Sequence, residues 1–95
     1  MLHFEFDDCS EWSAKSRYVD RDSVGDGQCF YRIWVEKDGL FSLEPSCKAL
    51  VDALQDTDYP LKVPDRDRRS GFSFMKFDTF DRATTYCIEA ERHIL

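Results

Sequence analysis

The groups in this sequence that could do chemistry are four cysteines, two histidines and a large number of carboxylates. Cys9, Cys29, Cys47 and Cys87 are widely and irregularly spaced, and His3 and His93 stand at opposite ends of the chain. Zinc sites draw ligands from closely spaced pairs. The chain has no Cys-x-x-Cys and no His-x-x-x-His. Asp20, Asp22 and Gly25 match the first, third and sixth positions of a calcium-binding loop. Val24 and Tyr31 then occupy the fifth and twelfth positions, where such a loop needs oxygen ligands. There is no Gly-x-Ser-x-Gly elbow. Gly25-Asp26-Gly27 is too short to cradle a phosphate and leads into a strand rather than a helix. The acid pairs Asp7-Asp8 and Glu89/Glu91 have no base or nucleophile grouped with them by spacing. The expectation is therefore no catalytic residue, no metal and no cofactor: a binding protein rather than an enzyme.

The cysteines carry a second expectation. Cys29, Cys47 and Cys87 each fall on an apolar stripe of an expected element, and small buried thiols pack as core hydrophobes. Met1–Asp8 has neither a basic start nor an apolar run, so it reads as a strand rather than a secretion signal. Together these point to free thiols in a reducing cytoplasm. No apolar run approaches the length of a membrane span.

Ninety-five residues suffice for a single domain, 1–95, with one core. Leu, Ile, Val and Phe supply 23 residues, enough to fold a chain of net charge −6. That charge is uneven: residues 1–27 carry −4, residues 28–56 carry −2, and residues 57–95 balance to zero. Anionic surfaces, whether duplex nucleic acid or membrane, are poor partners for such a chain, and a basic partner is a better one.

The elements follow from periodicity. Leu2, Phe4 and Phe6 alternate with His3, Glu5 and Asp7, which predicts a half-buried strand over 2–7. Residues 8–16 read as a loop or short helical turn holding Trp12, and 17–22 as a weak strand before a turn at Gly25-Asp26-Gly27. Gln28–Lys37 is the strongest strand, with Cys29, Tyr31, Ile33 and Val35 on one face and Phe30, Arg32 and Trp34 on the other. Asp38-Gly39 predicts a two-residue hairpin turn into a strand over 40–44. Ser46 is placed to cap a helix whose stripe is Cys47, Leu50, Val51 and Leu54. Leu61–Ser70 reads as extended chain and an exposed loop, and Gly71–Phe77 as a strand. Asp78 or Thr79 caps a last helix with the stripe Phe80, Ala83, Thr84, Cys87, Glu91 and Ile94. The fold class is α+β: an antiparallel sheet of four to five strands with two helices packed on one face.

That architecture leaves the second sheet face open, carrying Phe30, Arg32 and Trp34. Aromatic and arginine side chains dominate binding hot spots. Two other readings remain: residues 8–16 fold over this face with Trp12, or the faces are inverted. The expected partner-binding set is Phe30, Arg32 and Trp34 with Trp12, the acidic Asp20, Asp22 and Asp26 for steering, and Arg66, Arg68 and Arg69 as an arginine arm.

In size and acidity the chain resembles small phage-encoded inhibitors of bacterial defence, such as anti-CRISPR proteins, and immunity proteins against toxins. The resemblance involves no alignable motif, so no residue role is carried over. It implies a cytoplasmic inhibitor of a basic, nucleic-acid-targeting complex. The alternative is a self-associating assembly module, for instance a dimer. Third is single-stranded nucleic-acid binding, which the net charge opposes.

Overall fold

The computed structural model describes residues 2–6, 11–20, 27–60, 63–64, 72–73 and 75–94. Five strands form one antiparallel sheet in the order β1 (Glu5–Phe6), β2 (Glu11–Val19), β3 (Gln28–Val35), β4 (Phe41–Pro45), β7 (Met75–Phe77). Two further short strands, β5 (Val63–Pro64) and β6 (Phe72–Ser73), pair with each other. Helices α1 (Lys48–Leu54) and α2 (Phe80–His93) complete the chain. The fold is α+β, with both helices contributing to one core against one face of the sheet.

Strand β3 organises that core. Cys29, Tyr31 and Ile33 are fully buried on its inner face. Leu43 of β4, Leu50 and Leu54 of α1, and Ala83, Cys87 and Ala90 of α2 close over them. Burying side chains of this kind stabilises a fold by about 1.5–3 kcal/mol each. Val35, the last residue of the strand, shares their parity but is 44% exposed. Thr79 caps α2 by accepting from the Arg82 N–H at 3.1 Å. Asp81 in the first turn and Arg92 and His93 in the last complement the helix dipole.

Several elements differ from the sequence expectation. Residues 11–16 are not a loop. They begin the nine-residue strand β2, which absorbs 17–19 as well, while residues 8–10 and 21–22 lie outside the described residues. The alternation is present, but its inward positions after Trp12 are Ala14 and Ser16, too small and polar to register as an apolar stripe. Of the strand expected over 2–7, the described residues form Glu5–Phe6 alone, with Asp7 outside them, and Phe6 is 56% exposed.

The β3–β4 hairpin turns through three residues rather than two. The Glu36 N–H donates to the Leu40 carbonyl at 2.9 Å, the Gly39 N–H donates to the Glu36 carbonyl at 3.0 Å, and Gly39 has φ +84°. That is a β-turn followed by a glycine bulge. In the turn expected at 25–27, Gly27 alone is described. Its φ is +68°, and a Cβ there would stand 2.2 Å from the Asp20 carbonyl oxygen, so only glycine fits.

Ser46 does not cap α1. Its N–H donates to the Phe30 carbonyl at 2.9 Å and its Oγ accepts from the Phe30 N–H at 2.7 Å, prolonging the β3–β4 ladder. The N-cap is Cys47, without a side-chain capping bond. Cys47 is joined to Cys29 by a disulfide, which corrects the free-thiol reading of both and removes the cysteine argument for a reducing compartment. Cys87 is free and buried, as expected, and burial pushes its thiol pKa up. Cys9 lies outside the described residues. No described helix is long and apolar enough to cross a membrane.

Helix α1 has seven residues, no capping side chain and no acid in its first turn. Helices that short are not stable alone, so the disulfide and the burial of Leu50, Val51 and Leu54 hold it. Reducing the disulfide, which spans a sequence separation of 18, is expected to lower the unfolding free energy by about 3 kcal/mol. Urea denaturation with and without a phosphine reductant measures this. An unchanged midpoint would show that α1 docks without the covalent tie.

Candidate functional site

Two constellations emerge, one on each side of the sheet. The first is the helix-free face. Opposite pairing places Lys15 beside Phe30, Ser13 beside Arg32 and Glu11 beside Trp34 on one flank. On the other flank, Glu44 lies opposite Arg32 and Ser42 opposite Trp34. The Trp34 Nε1–H donates to Glu44 Oε2 at 2.9 Å, and Arg32 Nε stands 3.3 Å from Glu11 Oε1. Ser42 Oγ donates to Glu36 Oε1 at 2.7 Å. Phe30, Arg32 and Trp34 are all half-buried, held in a row with part of each surface still facing out. A recess of about 270 Å³ opens beside Phe30, lined by His3, Glu5, Ser13 and Lys15. Among the described residues, no helix covers this face.

The faces are as the sequence pattern assigns them, since Cys29, Tyr31 and Ile33 are the buried set. Residues 11–16 do not fold over Phe30 and Trp34; they lie beside β3 in the plane of the sheet. Trp12 must be moved, however. It is paired with Ile33 and so points to the helix side. There its ring packs 4.7 Å from Phe80 and 4.9 Å from Phe6. Its location in an expected loop had hidden its parity. Asp20 is half-buried at the end of β2, where its N–H donates to the Gly27 carbonyl at 2.7 Å. Asp22, Asp26, Arg66, Arg68 and Arg69 lie outside the described residues.

The second constellation was not legible as a group. Glu91 of α2 is 5% exposed. Ser16 Oγ lies 2.8 Å from Glu91 Oε2 and 3.0 Å from Oε1, the Tyr31 O–H donates to Oε2 at 2.7 Å, and the Arg17 N–H donates to Oε1. The Tyr18 N–H in turn donates to Ser16 Oγ at 3.0 Å. The β2–β3 register shifts between Lys15 and Val19. The Gln28 amide spans that irregularity, donating to the Ser16 carbonyl at 2.7 Å. A buried carboxylate is tolerable only when so many donors meet it. Tyr31 bears the consequence: burial raises its pKa, and its hydrogen bond to Glu91 raises it further. Tyr86 is pushed up to about 12, chiefly by burial and then by Cys87 and Tyr59.

The available signal for this network was a single acid on the buried stripe of α2, one turn after Cys87. Its partners come from strands 60 and 75 residues earlier, a distance that spacing rules do not reach. Chemically the group is an anchor. Ser16 is 3% exposed, so its hydroxyl cannot meet a substrate. No three His, Cys, Asp or Glu side chains among the described residues are arranged to hold a metal ion. Comparison with known proteins finds no matching protein family, curated sequence or solved structure.

Replacing Glu91 by Gln keeps the shape but removes the charge. It is expected to cost about 2 kcal/mol, and Glu91→Ala about 3–5 kcal/mol, because three donors are left buried without partners. Tyr31→Phe removes one bond and is expected to cost about 1–2 kcal/mol. Urea midpoints test the order. A Glu91→Gln protein as stable as the parent would show that the network does not hold α2 in place.

Proposed function

We propose that this chain is a protein-binding module that docks a basic partner on its helix-free sheet face. The observation carrying this reading is the row Phe30–Arg32–Trp34, with Arg32 held by Glu11 and Trp34 by Glu44, on a face that no described helix covers. Side chains already fixed by neighbours lose little freedom on binding, so their contact area converts efficiently to affinity. An indole and a phenyl ring flanking a guanidinium are the groups that carry binding energy in protein interfaces. The recess beside Phe30 is suited to receive one partner side chain.

The partner's charge follows from the face and from the chain. Glu5, Glu11, Glu36 and Glu44 outnumber Lys15, Arg32 and Lys76 on this face, and the chain carries −6. Such a field speeds encounter with a basic surface and repels nucleic acid. A basic protein surface that itself binds nucleic acid is the natural target, and occupying it makes the chain an inhibitor or regulator of a nucleic-acid-targeting complex. Self-association is the competing reading, with the same row as its interface.

The discriminating experiment is capture from nuclease-treated bacterial lysate, run in parallel with parent protein and Phe30→Ala/Trp34→Ala. The reading expects a stoichiometric basic protein on the parent and none on the variant, with the variant still folded. Charge reversal at Asp20, Asp22 and Asp26 is expected to slow that association and weaken its salt dependence. Equal capture by both proteins would contradict the assignment of this face. Recovery of the chain alone, as a dimer that the double variant dissolves, would shift the reading to a self-assembling module.

A further inference from the structure

A cavity of about 260 Å³ lies between the second half of β2 and the last turns of α2, and Lys15 stands between it and the recess beside Phe30. Leu2 and Ile88 form its apolar walls, Lys15, Arg17 and Arg92 supply three cations, and Glu91 contributes to its floor. In a chain with 19 acids and 13 bases, a lining with three cations against the single Glu91 carboxylate is a local excess of positive charge.

The Glu91 network explains why two of those cations, Lys15 and Arg17, are available. The obvious counter-ion is Glu91 itself, but its oxygens are occupied by Ser16, Tyr31 and the Arg17 N–H. The Arg17 backbone, not its guanidinium, binds the carboxylate. Among the described residues, neither Lys15 nor Arg17 makes an ion pair, whereas Arg92 Nη1 is 2.9 Å from Glu89 Oε1. The floor is therefore a fixed surface already hydrogen-bonded, and the Arg17 and Lys15 side chains keep their donors for something else.

We infer that this cavity is a binding site for a small organic carboxylate with a short apolar body. The Arg17 fork matches a carboxylate in two parallel hydrogen bonds, with Lys15 adding a point charge. The apolar body lies against Leu2 and Ile88, as small ligand sites pair apolar walls with a few orienting polar groups. A cationic ligand would be repelled by Lys15 and Arg17. A ligand without charge would gain no charge-assisted hydrogen bond from the exposed guanidinium.

The test uses hexanoate as the probe, with 1-hexanol and hexylamine as matched neutral and cationic controls, followed by amide chemical shifts of the isotope-labelled protein. Hexanoate is expected to give saturable shifts at residues 15–17 and 88–92, and to bind about tenfold more tightly than hexanol, the effect of one charge-assisted hydrogen bond. Arg17→Gln retains the backbone N–H to Glu91, so the fold is kept. It is expected to weaken hexanoate about tenfold and leave hexanol unchanged. Trp34→Ala, at a position outside the cavity lining, is expected to bind hexanoate as the parent does, which separates this site from the sheet face. Equal binding of hexanoate and hexanol, preference for hexylamine, or an Arg17→Gln protein that binds hexanoate undiminished would each overturn the inference.

Discussion

One buried carboxylate sets the geometry of this molecule. Glu91 projects from α2 into the interface with β2 and β3, and it is kept there by the Ser16 and Tyr31 hydroxyls and the Arg17 N–H. Apolar contacts alone leave a helix free to slide along a sheet, because hydrophobic burial is non-directional. Hydrogen bonds to a charge are directional, and a mismatched buried charge is costly. The network therefore fixes both the position and the rotation of α2. It also commits Tyr31, and with it the parity of β3, to the helix side. Phe30, Arg32 and Trp34 are turned outward by the same constraint.

The disulfide does the corresponding work for α1. Cys29 and Tyr31 are neighbours on the inner face of β3, one bonded covalently to the N-cap of α1 and the other hydrogen-bonded to α2. Two residues of a single strand thus secure both helices on one face. What remains on the other face is a sheet surface on which Glu11 pairs with Arg32 and Glu44 accepts from Trp34, with no helix over them among the described residues. Division of labour between the two faces follows from period-two alternation in one strand.

Much of this was legible from the residues. The run Gln28–Val35, its two faces, the glycine turn after it and the stripe of α2 follow from patterns strong enough to survive any context. The first part of strand β2 was not legible, because its inward positions Ala14 and Ser16, the latter bonded to Glu91, are too small and polar to show an apolar stripe. Trp12 went to the wrong face as a consequence, since parity is undefined for a residue assigned to a loop. The pairing of Cys29 with Cys47 was hidden for a related reason: each lies on an apolar stripe, and sequence alone does not give connectivity. Glu91 was visible as an anomaly on a buried stripe. Its meaning required partners brought in from the other end of the chain.

If the face bearing Trp34 binds a partner, it is open in the free protein and closed in the complex. Trp12→Phe leaves Trp34 as the sole indole, and its fluorescence quenching by acrylamide reports access directly. The account predicts ready quenching in the free protein and a marked loss of quenching when the protein captured from lysate is added. Quenching that is already weak in the free protein, or unchanged in the complex, would contradict it.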